Sequence, residues 1–213
     1  MARLFNQGFI VEAETLSKSL TTRFPKHGFA WKVLGAIYQA QHRYKESLNA
    51  TRQAIALLPD DAATYNNLGI CLQGLERLDE AEANYRKALD IAPDYAKALS
   101  NLGHLLKSQG KLHQAETCCR RALEIEPRYA NAHVNLGNTL AMQDRLSEAQ
   151  TCYRAALTIL PAAADIHSNL LYCLSHDVLV EPQQLHAEHL AFGEQFEAPL
   201  RAGWPAHNNA KDP

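Results

Sequence analysis

The chain has 213 residues, 46% of them apolar and 21% charged, which is a globular rather than a disordered composition. Its 21 Lys and Arg against 23 Asp and Glu leave a net charge of −2, which gives no reason to expect a nucleic-acid partner. No apolar run reaches membrane-spanning length, the N-terminus reads as no signal peptide, and five cysteines without a Cys-x-x-Cys fit a reducing, cytoplasmic setting.

The dominant feature is a repeat. Pro25, Pro59, Pro93, Pro127 and Pro161 are spaced by 34 residues, and the other prolines all lie beyond them. Residues 1–27 fit the second half of a unit, with Ala13 and Pro25 in register. Four full units are expected at 28–61, 62–95, 96–129 and 130–163, each carrying a Leu-Gly pair at Leu34, Leu68, Leu102 or Leu136 and the glycine that follows. Each unit reads as two helices. Tyr65, Leu68 and Leu72 form one helical stripe, and Ala81, Tyr85, Ala88 and Leu89 form the next. The closing proline lacks an N–H and disfavours helix in the residue before it, so it separates units. The glycine or alanine at a helix crossing lets two backbones approach closely.

The period decays over 164–199. His167, Leu170 and Leu174 keep the first-helix pattern, but Leu171 replaces the glycine. Pro182 suits the first position of a new helix running to about Ala198, which would cap the array. Residues 200–213 read as a linker toward a further domain.

These positions resemble the tetratricopeptide repeat pattern W-x2-L-G-x2-Y…A-x3-F…A…P. Trp31, Leu34, Gly35, Tyr38, Ala54 and Pro59 match it in the first full unit, where Ser47 and Thr51 depart from it. The resemblance implies an all-α superhelical solenoid of helix-turn-helix repeats, here with a C-terminal capping helix. The tail, from His167-Ser-Asn-Leu-Leu-Tyr-Cys through Phe192-Gly-Glu-Gln-Phe to His207-Asn-Asn-Ala-Lys-Asp-Pro, is similar to the junction before the catalytic region of bacterial SPINDLY-like proteins, relatives of the O-linked N-acetylglucosamine transferases. That likeness implies a substrate-recruiting arm whose catalytic domain is absent from this chain.

No nucleophile–base pair, phosphate loop or H-E-x-x-H occurs, so no catalytic residue, cofactor or metal site is expected here. His186 and His189 lack a third ligand in the sequence. The expected partners are proteins or extended peptides, not nucleic acid or membrane, with self-association through the terminal repeats. Asn67, Asn101, Asn135 and Asn169 recur at one first-helix position. A carboxamide both donates and accepts, so an evenly spaced row can pair with a peptide main chain whatever its sequence. The resembled transferases use such an asparagine ladder. Asn is also common at this position in the wider repeat family, and a structural role is the alternative. Lys32, Lys97, His104 and Asn138 complete the expected peptide-binding face. Lys32, Asn67 and Lys97 also match part of a C-terminal carboxylate clamp, but Ala36 and Asn101 stand where it needs Asn and Arg. A free-standing adaptor or co-chaperone-like assembly protein is the other functional expectation.

Overall fold

The computed structural model describes residues 1–199. The expected linker at 200–213 lies outside the described residues. The chain opens with α1 (Ala2–Asn6) and α2 (Ile10–Arg23), followed by α3 (Gly28–Ala40), α4 (Tyr44–Leu57), α5 (Ala62–Gly74) and α6 (Leu78–Ile91). It continues through α7 (Ala96–Ser108), α8 (Leu112–Ile125), α9 (Ala130–Met142), α10 (Leu146–Ile159) and α11 (Ala164–His176). Last comes α12 (Pro182–Phe192), which runs into a π-helical turn at Gly193–Glu197. Helix accounts for 79% of the described residues, with no strand among them, in agreement with the expected all-α solenoid. None of these helices is long and apolar enough to cross a membrane.

The 34-residue spacing is set by two recurrent backbone devices. Each in-register proline follows a helix C-cap (Phe24, Leu58, Ala92, Glu126 or Leu160) whose φ lies between −135° and −127°. That φ lies outside the helical region, as the residue before a proline requires. Within each unit the first helix ends differently. The N–H groups of Arg43, Arg77, Lys111 and Arg145 donate to the carbonyls of Tyr38, Leu72, Leu106 and Leu140 at 2.9 Å, closing Schellman turns. The residue before each donor is left-handed: His42, Glu76, Gly110 and Asp144 have φ of 57°, 60°, 74° and 61°. One period further on, this position falls to Val178. A β-branched side chain strains a positive φ, and the chain leaves α11 through an extended Asp177 instead (φ −87°, ψ 109°). That turn ends the period. The chain re-enters helix at Pro182, whose missing N–H costs nothing at a first helical position.

Packing within a unit centres on the Leu-Gly pair. A Cβ on Gly69 would lie 2.5 Å from the ring of Tyr85, and one on Gly137 would lie 2.8 Å from the ring of Tyr153. Both tyrosines are buried and cross the first helix where it carries no side chain. In the first full unit Thr51 stands at the aromatic position, and the Ser47 hydroxyl donates to the Gly35 carbonyl at 2.7 Å. These two residues replace an aromatic plug with a smaller polar contact. The departure from the repeat pattern is thus local.

Successive first helices α3, α5, α7 and α9 touch one another as well as their own second helices, whereas α4, α6, α8 and α10 meet the neighbouring unit through its first helix. Closer approach on one side bends the array, with the first helices on the inside. On the second-helix side, the basic residue opening one helix reaches back to a carboxylate on the previous one. Arg43 meets Glu14 at 3.0 Å, Lys111 meets Glu82 at 3.0 Å, and Arg145 meets Glu116 at 2.8 Å. Lys18, Gln41 and Arg43 together hold the Glu14 carboxyl down at about 2, against the cost of its desolvation.

The α12 segment covers α11. The His167 ring lies edge-on to Phe192 and Phe196, with centroids 5.4 and 5.9 Å away, and Glu188 approaches its Nε2 at 3.6 Å. His133 has a packing role as well. Its Nε2 donates to the Pro127 carbonyl at 2.9 Å, as the Trp31 indole does to Pro25 at 2.8 Å.

Candidate functional site

The concave face is built from first helices. Their buried stripes, such as Leu99, Leu102 and Leu106 on α7, face the second helices, which leaves intervening positions turned to the groove. The four asparagines of the expected ladder are all half-buried there, but they are not equivalent. The Asn101 amide donates to Asn66 Oδ1 on α5 at 2.9 Å. The Asn135 amide donates to the carbonyl and hydroxyl oxygens of Ser100 on α7, at 3.1 and 3.0 Å. Asn67 and Asn169 have no side-chain hydrogen-bond partner among the described residues. The positions that would receive them hold Lys32, whose ammonium is engaged elsewhere, and the apolar Val134. Two asparagines therefore brace neighbouring first helices while keeping their carboxamide oxygens, and two keep the whole amide.

A division of labour follows, and it is measurable. Replacing Asn101 and Asn135 together by Ala should lower the unfolding free energy by about 1 kcal/mol per site. The Asn67→Ala/Asn169→Ala pair should stay within about 0.5 kcal/mol of the parent, as surface changes do. Equal losses for the two pairs in urea melts would contradict this geometry.

Lys32 does not stand free in the groove. Its ammonium grips both oxygens of Asp61, at 2.9 and 2.7 Å, while Asp61 also caps α5 by accepting from the Thr64 N–H. This removes one cation from any carboxylate clamp. Lys97 is exposed on α7 with no carboxylate within ion-pairing distance among the described residues. His104 shares a hydrogen bond of 3.0 Å with Gln73, and desolvation, reinforced by the Lys107 charge, lowers its pKa. Asn138 accepts from the Tyr153 hydroxyl at 2.7 Å, so its oxygen is partly spent on fixing that ring.

The sequence reading missed the cavities that the tyrosines help to make. Ile70, Gln73, Tyr85, Asn101 and His104 line a recess of about 360 Å³ between α5 and α7. Asn138, Ala141, Tyr153, Asn169 and Tyr172, each 68 residues later, line a second of about 350 Å³ between α9 and α11, with Lys107 at its rim. The two are the same site two units apart. In the unit between them the tyrosine is replaced by Cys119. The signal the sequence carries for them is the 68-residue spacing of Tyr85 and Tyr153.

Burial pushes the Cys119 thiol up to about 12 and the Cys152 thiol up to about 11, so both stay protonated at neutral pH. Among the described residues no three His, Cys, Asp or Glu side chains cluster as a metal site, and His186 and His189 are exposed on α12.

Comparison with known proteins places this architecture. A family model described as tetratricopeptide repeat matches residues 28–94, 60–125 and 94–162. Among solved structures, PilW, described as a widely conserved type IV pilus biogenesis factor, is 25% identical with a TM-score of 0.75 over 97% of this chain and 91% of that one. A thermophilic TPR protein of Thermus thermophilus is 21% identical, with a TM-score of 0.71 over 81% of this chain and 94% of its own. Pseudomonas aeruginosa PilF is 16% identical, with a TM-score of 0.77 over 95% of this chain and 94% of its own. No curated protein sequence matches the chain.

Proposed function

Because the chain belongs to the tetratricopeptide repeat family, we propose that its first-helix groove binds extended segments of partner proteins and that the protein works as an adaptor. The observation that carries this reading is the row of half-buried carboxamides, with Asn67 and Asn169 unspent and Asn101 and Asn135 retaining their oxygens. An extended peptide exposes alternating N–H and C=O groups, and such amides answer both. The likeness to PilW, described as a pilus biogenesis factor, supports a part in the assembly of other proteins. The five free cysteines suit the reducing, cytoplasmic setting that belongs to this proposal. Exposed Phe9 and Val11 at the start of α2 offer the surface for self-association through the terminal repeats.

A finer reading makes this groove the recruiting arm of an O-linked N-acetylglucosamine transferase-like enzyme. It rests on the resemblance of the tail and of the asparagine register, and the structural relatives named above lend it no support. Whether the source reading frame continues past Pro213 into a glycosyltransferase domain decides it.

The test of groove binding is selection from a phage-displayed random dodecapeptide library on the intact chain. Enriched peptides are then titrated against the parent and the Asn67→Ala/Asn169→Ala pair by fluorescence anisotropy. Loss of two net hydrogen bonds of about 1 kcal/mol each should weaken binding about 25-fold with the melting temperature unchanged. Enriched peptides that bind both proteins equally would contradict the proposal.

A further inference from the structure

The charge of the chain is segregated. Helices α3, α5, α7 and α9 contain no Asp or Glu, and α11 contributes only Asp165. The carboxylates sit on the second helices and turns, where Glu14, Glu82 and Glu116 are bound by basic partners. Asp61, at the mouth of α5, is held by Lys32. A chain of net charge −2 thus presents a groove wall almost free of negative charge.

Lys107 stands in the middle of that wall. It leaves α7, between the α5–α7 recess and the α9–α11 recess, and forms part of the rim of the second. It is half-buried, with no carboxylate in ion-pairing distance among the described residues. An ammonium on a half-buried lysine with no counter-charge favours an anionic ligand. Its field is felt locally, since it helps to hold the His104 pKa down.

We infer, resting on the peptide-groove reading, that this groove selects extended acidic segments, whose side chains fill the Tyr85 and Tyr153 recesses and bring an intervening carboxylate to Lys107. Neighbouring helices pack about 8–10 Å apart. The two recesses, two first helices apart, are therefore about 16–20 Å from each other, which an extended chain at about 3.3 Å per residue covers in five or six residues. The recesses take side chains one at a time, and the carboxamides meet the main chain between them. A protein segment uses all three features, whereas a phosphate backbone would use only the lysine.

The experiment uses the dodecapeptides enriched on the intact chain and versions of each with Glu→Gln and Asp→Asn. Titrations run against the parent, Lys107→Met and Lys87→Met, with Lys107→Gln as a second variant should Lys107→Met lower the melting temperature. The enriched peptides should carry an acid between two bulky side chains five or six residues apart. Amidating that acid should weaken binding about tenfold, and Lys107→Met should bring the acidic peptide to the same level. Lys87→Met, exposed on the second helix α6 and away from the groove, should change little. Peptides weakened by Asn67→Ala/Asn169→Ala but indifferent to Lys107→Met would overturn this inference and leave the groove reading standing. Peptides indifferent to both sets of changes would sink the groove reading itself. Equal losses from Lys87→Met and Lys107→Met, or displacement by a thymidine oligonucleotide in a Lys107-dependent way, would also overturn the selection proposed.

Discussion

Tyr153→Ala and Tyr85→Ala are each expected to lower the unfolding free energy by about 3–5 kcal/mol, the range for emptying a large aromatic site in a core. Tyr85 is 0% exposed and Tyr153 2%, and each ring lies across a first-helix glycine. The helix beneath offers only backbone there, so it cannot refill the space with a side chain of its own. The loss should spread beyond one unit. In a solenoid each repeat is held by its neighbours, so a weakened central unit uncouples those on either side. Tyr→Phe at either position removes only the hydroxyl bond, to Gln73 at 3.0 Å or Asn138 at 2.7 Å, and should cost about 1 kcal/mol. Urea unfolding followed by circular dichroism separates the two. A Tyr→Ala midpoint close to the parent's would show that the rings are not the plugs described.

Gly69→Ala is expected to cost about 1–3 kcal/mol by overpacking, since its new methyl would sit 2.5 Å from a Tyr85 ring carbon. The same substitution in a Tyr85→Ala background should be close to neutral, because the obstructing ring is gone. A double-mutant cycle should therefore give a coupling energy of about 1 kcal/mol or more, where distant independent sites would add. Additive losses would mean that the cost of Gly69→Ala arises within α5 rather than at its crossing with α6.

The fold was largely legible because its determinants are local and periodic. The five prolines mark the ends of second helices, and the Leu-Gly pairs mark the crossings. The turns inside the units were not legible. Only Gly8 and Gly110 advertise a left-handed residue; Glu76 adopts that conformation against its own preference, and His42 and Asp144, which tolerate it, give no signal of it. The failure of the turn at Val178 was hidden for the same reason. The ion pairs from Arg43, Lys111 and Arg145 to the preceding second helix depend on partners 29 residues away, brought together only by stacking.

The site was legible in composition and not in connectivity. The asparagine row was plain, but which amides are spent depends on what stands 35 residues earlier, and this differs: Lys32, Asn66, Ser100 and Val134. Lys32 reads as a free groove cation until Asp61 is seen to hold it. The paired recesses need a side chain from the second helix, Tyr85 or Tyr153, to reach past a glycine into the space between two first helices. No periodicity in one helix announces that.

The most direct test of the groove is to watch its amides. Side-chain NH₂ resonances of Asn67, Asn101, Asn135 and Asn169 can be followed by heteronuclear NMR while an enriched dodecapeptide is added to the intact chain. All four should shift together, with Asn67 and Asn169 moving most because their amides start without partners. Shifts confined to residues of α4, α6, α8 and α10, with the four amides unmoved at saturation, would place binding on the opposite face and contradict the account.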